Sequence, residues 1–577
     1  MIIFKQYHFI KLLIIPSLLA FMLGIFSCSG KFGKDNPPNI VFIFADDLGY
    51  ADISLHGSQD ISTPHIDSLA NGGIRCTSGY VTAPACTPSR ASLLTGRYQQ
   101  RFGYESNIDV FSGLPSKEIT FGDVLQSAGY FTGFVGKWHV GLGPGVEYDD
   151  GTRAMPTRDQ HPLDRGFHEY YGALGNTYFM DTEGKGGIEV MRGKERILEK
   201  EYLTDAHGRE AVEFIDRNKD KPFFLFLSFN AVHIPLEAPQ KYLDRFNHID
   251  DIHRKTYAAM VSAMDDAIGR VLNKLREEQL SQNTLVIFLN DHGGSFKSRV
   301  PKGGMSFKGK VTPQSVPSVW KKIRDNSPFR GGKGSIEEGG IRVPFIMSWP
   351  GKLPAGKVYD QPVTSMDILP TIAAVGGAKL KENTIIDGVD LIPYLQGKKK
   401  DSPHPFLFWR WGIMNDYSTI PHMAVRMGQW KLKTRNKPWN GNPILNSEPK
   451  KLSRDLVQLF NVVKDPEELN NLANEFPELV IEMQRKLKNW NDEVSNEARI
   501  SQLAPLPKSP PFYETLPKEF DYDQAVSIAQ EIGEGGIPES ILPRYLNIFM
   551  LQRKLKLTQE GKYIKNNFKL PEQINLK

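Results

Sequence analysis

The strongest constraint on this chain is a short apolar run at 39–45 (Asn-Ile-Val-Phe-Ile-Phe-Ala), echoed at 132–135, 223–229, 284–289 and 343–349. A strand with one wet face alternates apolar and polar residues, whereas a run without alternation must be covered on both faces. Between these runs lie helical patterns at 66–70, 89–94, 121–127, 206–217 and 256–277. Buried strands alternating with helices predict an α/β fold: a large, mostly parallel sheet flanked by helices. Such sheets place ligands beyond the carboxyl ends of their strands, so functional side chains are expected just past each run.

With 577 residues the chain can hold one large domain and a smaller one. A formal charge of +5 is mild for this length. It suits an anionic substrate without identifying one, and no stretch resembles a nucleic-acid-binding module. Lys5 and Lys11 precede an apolar run at 12–26, followed by Cys28. This is the layout of an export signal, too short for a comfortable membrane span. Residues 25–28 (Ile-Phe-Ser-Cys) look like a bacterial lipoprotein cleavage box, which would remove 1–27 and leave a lipid on Cys28. A plain secretory cleavage nearby is the alternative. Either way the protein is expected outside the cytoplasm: in the periplasm, anchored at the outer membrane, or secreted. Cys28, Cys76 and Cys86 are too few for a disulfide framework, and Cys76 reads as a small buried hydrophobe.

Around 393–405 the texture changes, and Lys398-Lys399-Lys400-Asp401-Ser402-Pro403 reads as a linker or exposed turn. Segments 406–410, 424–433 and 456–461 read as strands of a smaller antiparallel sheet, with a helix at about 476–490. A Pro-rich stretch at 505–511 opens an extension with helices near 522–532 and 539–555. The expected division is a catalytic domain over 36–397, a small α+β domain over 398–504 and a helical extension over 505–577.

The run at 39–45 leads straight into Asp46-Asp47-Leu48-Gly49. Adjacent carboxylates repel unless a cation or solvent satisfies them, and alone the pair is an ordinary solvated turn. The run at 284–289 ends in Asn290-Asp291-His292-Gly293-Gly294, which brings a third acid to the same edge. Three carboxylates meeting there would make a hard-cation site, with calcium the best match. In 85–97 (Ala-Cys-Thr-Pro-Ser-Arg-Ala-Ser-Leu-Leu-Thr-Gly-Arg), Pro88 is placed to open a helix with Cys86 at its positive end. Arg90 follows one turn later on the same face, where a purely structural cysteine would have no use for it.

Three weaker signals accompany these. In Gly136-Lys137-Trp138-His139 an extended chain would point Lys137 and His139 to one side, a pair that alone would be a surface face. His233, in Asn230-Ala231-Val232-His233-Ile234-Pro235, lies just past the run at 223–229, where a capping or core histidine is the plain alternative. Lys333 sits in a glycine-rich loop, Arg330-Gly331-Gly332-Lys333-Gly334-Ser335, whose backbone can approach a ligand closely. It is not a P-loop, because no Ser or Thr follows the Gly-Lys pair.

Cys86-Thr87-Pro88-Ser89-Arg90 matches the cysteine-type sulfatase signature, and residues 91–97 continue the match. The chain therefore resembles the formylglycine-dependent, arylsulfatase-like sulfatases of the alkaline-phosphatase-like superfamily. The resemblance runs from about 39 to 490 and includes Asp387-Gly388-Val389-Asp390 and 459–472. It implies an exported sulfuric ester hydrolase whose Cys86 is oxidised by a formylglycine-generating or anaerobic sulfatase-maturing enzyme. Pairing of Cys76 with Cys86 is the disfavoured alternative. It further implies that Asp46, Asp47, Asp291 and His292 hold one calcium ion together with the modified Cys86. His292 departs from the commoner Asn at that place; nitrogen is a less natural calcium ligand, so contact with the sulfate is its alternative role. A hydrated aldehyde offers one hydroxyl to attack sulfur and another to release sulfate from a covalent sulfo-enzyme by re-forming the carbonyl. The metal would lower that hydroxyl's pKa, and Arg90, Lys137 and Lys333 would add fixed positive charge. His233, with Lys333, would protonate the leaving alcohol, and His139 would act as the base that releases sulfate.

The expected substrate is a sulfated carbohydrate or polysaccharide, with the membrane touched only through a lipid anchor and no nucleic-acid partner. Residues 296–324 carry Lys297, Arg299, Lys302, Lys308, Lys310, Lys321, Lys322 and Arg324 without one acid. They read either as a solvated insertion or as a basic wall facing a polyanion. The rival enzyme is a phosphodiesterase or phosphonate hydrolase; a two-metal phosphatase would need more His and Asp ligands than this chain offers. An inactive carbohydrate-binding relative is the non-enzyme alternative. His65 reads as part of a helix start, and His161 and His404, each beside a proline, as loop residues.

Overall fold

The computed structural model describes residues 37–111, 113–141, 160–175, 187–295, 298–301, 318–382, 384–411, 422–435 and 457–500, with short pieces between 516 and 565. The expected export signal with Cys28, the helices expected at 522–532 and 539–555 apart from isolated residues, and most of the basic stretch lie outside the described residues.

One sheet organises the chain. In chain order its strands are β1 Asn39–Ala45, β2 Ile74–Cys76, β3 Phe131–Lys137, β4 Glu169–Ala173, β5 Ile188–Arg192, β6 Glu195–Glu199, β7 Phe223–Ser228, β8 Thr284–Asn290, β9 Phe345–Ser348 and β10 Lys357–Tyr359. They lie in the spatial order β10-β2-β9-β8-β1-β7-β3-β4-β5-β6. The central block β8-β1-β7-β3-β4 is parallel throughout. Antiparallel pairings flank it on both sides. This is the expected α/β architecture, a mostly parallel sheet between layers of helices.

β1, β7 and β8 are buried at every position, as unalternating apolar runs require. Successive residues of β1 serve two cores. Ile40, Phe42 and Phe44 pack in one cluster with Leu93 and Phe121, from the helices α2 (Cys86–Thr95) and α3 (Phe121–Ser127) that follow α1 (Pro64–Asn71). Val41, Ile43 and Ala45 pack on the other face with Phe214, Met260 and Met264, from α4 (Leu203–Asn218) and α5 (Ile252–Glu277). Phe42 stacks on Phe226 with ring centroids 4.9 Å apart, and Phe121 meets Phe226 edge-on at 5.1 Å. Truncating such a ring costs roughly 3–5 kcal/mol. α2 is buried along its whole length, which is why it shows no amphipathic pattern. It begins at Cys86, with Pro88 inside its first turn, and stops at Gly96, whose φ of 65° suits glycine.

The second sheet comprises β11 Leu407–Trp411, β12 His422–Met427, β13 Trp430–Arg435 and β14 Val457–Asn461, antiparallel in that order. The single strand expected at 424–433 is therefore a hairpin, turned at Gly428 with φ 55°. The packing helix α6, Pro477–Ile500, outruns its expected end at 490. Its apolar period continues through buried Leu487, Trp490 and Val494, while Glu493 and Glu497 pair with Arg101. Lys431 and Lys433 of β13 reach Glu338 and Glu337 beside the Lys333 loop at 2.9 and 2.8 Å. His404, expected in a loop, lies in one, buried with Nε2 2.8 Å from Asp367 Oδ1.

Candidate active site

The sheet register sets the site. Ala45 lies opposite Asn290, Phe44 opposite Ser228, and Ser228 opposite Gly136, so the chain segments bearing Asp46, Asp291, His233 and Lys137 leave the sheet at one level. Backbone bonds extend the ladder past the strands: Asp291 N donates to Ala45 O at 3.1 Å, Asp46 N to Ala231 O at 3.0 Å, and Val232 N to Asp46 O at 2.7 Å. Asp47 and His139 adopt left-handed backbone, with φ of 61° and 58°. Such conformations cost on the order of 1–3 kcal/mol and persist only where the surroundings enforce them. They also correct one expectation: β3 ends at Lys137, so a left-handed turn, not strand alternation, orients His139. His139 is buried, and its Nδ1 has no hydrogen-bond partner among the described residues.

Cys86 Sγ lies 3.2 Å from His292 Nε2 and 4.0 Å from Asp46 Oδ1. Arg90, one turn on, joins the acids: Nη2 lies 2.9 Å from Asp46 Oδ2 and 3.3 Å from Asp291 Oδ2, while Nη1 donates to Lys137 O and Ser228 Oγ. Lys137 Nζ sits 2.5 Å from Asp46 Oδ2, and Lys333 Nζ 2.6 Å from Asp47 Oδ1. His233 Nε2 is 3.8 Å from Asp47 Oδ2, and His292 Nδ1 is 3.5 Å from Asp47 Oδ1. The sequence-expected site residues are therefore gathered in one cluster, with His139 close enough to feel the charges of Lys137, Arg90 and Asp46.

The electrostatics follow from burial and these partners. Burial would raise Asp46, but Lys137, His233 and Arg90 outweigh it and hold the carboxyl well below the usual range. Asp47 is likewise lowered against burial by Lys333, His233 and Arg324. Asp291 is raised, by burial and by the neighbouring Asp46 charge. Burial and Lys333 push His233 down to about 3, and burial with Lys137 and Arg90 pushes His139 well down. Burial would also lower His292, but Asp291 and Cys86 reverse that and bring it to about 9.

A divalent ion fits these donors. Ligand atoms of Asp46, Cys86, Asp291 and His292 lie within 4.8 Å of one another, as do those of Asp46, Asp47 and His233. Asp291, raised by burial and then by the Asp46 charge, is the kind of crowded buried carboxyl that a cation would relieve. His292 Nδ1 is 3.0 Å from Gly293 O, which turns Nε2 toward Cys86 and Asp291, the usual arrangement for a metal-binding histidine.

Sequence reading missed three contributors. Ser89 Oγ donates to Asp291 O at 2.6 Å, and Asn290 Oδ1 accepts from Leu48 N at 3.4 Å. Arg324, counted with the basic stretch, is buried with Nη2 3.6 Å from Asp47 Oδ2. Its charge was visible in the sequence; its burial was not.

Fold and site together define a hydrolase of the alkaline-phosphatase-like kind. The sulfatase family model matches residues 38–378, and the model for the N-sulphoglucosamine sulphohydrolase C-terminal region matches 332–493. The chain belongs to the sulfatase family and is a sulfuric ester hydrolase. It is 33% identical to arylsulfatase H of Homo sapiens over 454 residues, covering 65% of this chain and 75% of that protein. It is 32% identical to steryl-sulfatase of Homo sapiens over 550 residues, covering 79% and 87%. Among solved structures, Ps i-CgsB in complex with k-i-k-neocarrahexaose aligns with a TM-score of 0.66 and 33% identity, over 80% of this chain and 94% of that one.

Proposed function

We propose that this sulfatase is exported and removes sulfate from a sulfated carbohydrate, using formylglycine at Cys86 and one calcium ion. The observation that carries this reading is Cys86 itself, buried at the start of α2, 3.2 Å from His292 and one turn from the arginine that joins Asp46 to Asp291. The carbohydrate part is supported by Ps i-CgsB, whose complex holds k-i-k-neocarrahexaose. Export is supported by the charged and apolar start of the chain before Cys28, and a formylglycine at 86 calls for a maturing enzyme that acts on Cys86.

Asp46, Asp47, Asp291 and His292 would hold the ion, which supplies charge against the sulfate oxygens and lowers the pKa of a nearby hydroxyl. A formylglycine at 86 would supply a hydrated aldehyde, one hydroxyl for attack on sulfur and the other for later release of sulfate. Arg90, bound to both Asp46 and Asp291, fixes the carboxylates on the nucleophile side. Lys137 and Lys333 place positive charge where the sulfate gathers electron density. His233 and Lys333, both against Asp47, face the leaving oxygen and deliver its proton; the anionic ester draws that proton onto His233. His139, kept neutral by burial, accepts the proton during release of sulfate.

Peptide mass spectrometry of active enzyme, with assays on 4-nitrophenyl sulfate, 4-nitrophenyl phosphate and a panel of sulfated saccharides, tests the proposal. The expected result is a formyl group at position 86, sulfate preferred over phosphate, and turnover of at least one saccharide. Full activity with an intact thiol at 86 would overturn the mechanism, and preference for phosphate diesters or phosphonates would favour the rival hydrolase.

A further inference from the structure

Arg324 ends the basic stretch, yet its side chain is 0% exposed. Nη2 donates to Val232 O at 2.8 Å and lies 3.6 Å from Asp47 Oδ2. The guanidinium also lies over the Tyr257 ring, 5.2 Å from its centroid. Val232 precedes His233, whose Nε2 approaches the same Asp47 oxygen at 3.8 Å. One cation thus ties the backbone of the His233 loop to the carboxylate of the β1 loop.

Neighbouring contacts keep it there. Asn326 Oδ1 accepts from Gly294 N at 3.0 Å while its Nδ2 donates to Gly294 O at 2.8 Å. Asp325 O accepts from Ala51 N at 2.9 Å. A Cβ on Gly294 would meet Arg324 Cβ at 2.8 Å and Gly49 Cα at 3.0 Å, so this glycine makes room for the arginine between two acid-bearing loops.

We infer that Arg324 is a positioning residue that holds His233 on the leaving-group side of the site; the inference rests on the sulfatase mechanism with His233 as proton donor. The anchors on Val232 O and the Tyr257 ring need neither ion nor substrate, so Arg324 is a fixed post against which the His233 loop is set. When the sulfur–oxygen bond to the leaving group breaks, its electron pair goes to the leaving oxygen, which takes the proton from His233. A phenolate that leaves easily has little need of that proton, whereas a poor leaving group depends on it.

The test compares the holoenzyme with Arg324→Met and Arg324→Lys on phenyl sulfates running from 4-nitrophenyl to 4-methoxyphenyl, with formyl content at position 86 measured for each preparation. In Arg324→Met, kcat is expected to fall less than about 5-fold on the 4-nitrophenyl ester but about 100-fold on the 4-methoxyphenyl ester, within what a general acid contributes. KM should change little, and Arg324→Lys, which keeps the charge and a donor, should recover part of the loss. Calcium affinity by calorimetry should stay within about 3-fold of the parent, because the ion's own carboxylates are intact. Should Arg324→Met fail to fold, the same steepening, smaller in size, is read in Arg324→Lys. Equal losses across the series, or calcium affinity weakened by more than about tenfold, would overturn the inference. A parent enzyme that hydrolyses no sulfate ester would instead overturn the sulfatase mechanism on which it rests.

Discussion

Replacing Lys431 by Met removes the cation at the centre of the contact between the small sheet and the Lys333 loop. Lys431 Nζ lies 2.9 Å from Glu338 Oε1 and 3.2 Å from Glu468 Oε1, and all three side chains are 0% exposed. Burial alone would raise Glu338; Lys431, Arg342 and Arg426 outweigh it and hold the carboxyl at about 2 instead of 4.5. That displacement is worth roughly 3 kcal/mol at neutral pH. Breaking a buried pair by removing one partner costs about 3–5 kcal/mol, because the other charge stays buried. The sign with pH is fixed by the direction of the shift. A depressed carboxyl contributes its stability in full above 4.5, and loses it as pH falls toward 2. In Lys431→Met burial is less opposed, so Glu338 titrates higher and protonation relieves the penalty. Urea unfolding followed by tryptophan fluorescence should therefore show a loss of about 3–5 kcal/mol at pH 7.5 that shrinks on acidification. A deficit below about 1 kcal/mol, the scale of an exposed pair, or one constant down to the acid limb, would refute the reasoning.

Calcium added to chelator-treated enzyme should raise its unfolding free energy by about 2.7 kcal/mol at a hundred times its Kd, and Asp291→Asn should abolish most of that gain; an equal gain in both proteins would remove Asp291 from the ion site. Burial pushes His56 down to about 4 and His207 down to about 3, from an ordinary 6.5. Stability should thus be complete above pH 6.5 and fall by about 1.4 kcal/mol per pH unit for each such histidine as acid protonates only the unfolded chain, and His207→Gln should flatten the profile. A parent protein equally stable at pH 6.5 and 4.5 would contradict the neutral burial of both rings. Changing Lys308, Lys310, Lys321 and Lys322 to Gln should raise KM on a sulfated polymer several-fold more than on 4-nitrophenyl sulfate, and reduce its salt dependence. Matching changes on the two substrates would make the basic stretch a solvated insertion.

β1 was legible to the residue because burial on both faces leaves an apolar run no other place in a soluble fold. Helix starts were less so. α5 begins at Ile252, four residues before its apolar period becomes plain, because Asp251 accepts from His253 N and Arg254 N and closes the first turn. The hairpin inside 424–433 was missed because its two strands share one apolar texture and only Gly428 marks the turn. At the site, the strand-end rule found Asp46, Asp47, Asp291, Lys137 and His233, since Lys137 ends a central parallel strand and each of the others follows one. It placed His139 by the wrong geometry, and it passed over Arg324. That side chain is placed at the site by contacts with Asp47, Val232 and Tyr257, far away in sequence.

Those contacts also settle what the pocket's charge can and cannot do. Three buried carboxylates, Asp46, Asp47 and Asp291, face four cations, Arg90, Lys137, Lys333 and Arg324. Counting these groups alone, the site is already positive by one charge, and His292, brought up to about 9, adds to it, as a divalent ion would. It will draw in any tetrahedral oxyanion, and a phosphate monoester, with more charge than a sulfate monoester, would be drawn at least as strongly. Net charge therefore cannot choose sulfate. Under the proposed mechanism, turnover instead of attraction would be set at the start of α2: a thiol left at 86 would offer one nucleophilic atom and no second route out, whereas a group with two hydroxyls would both attack and release.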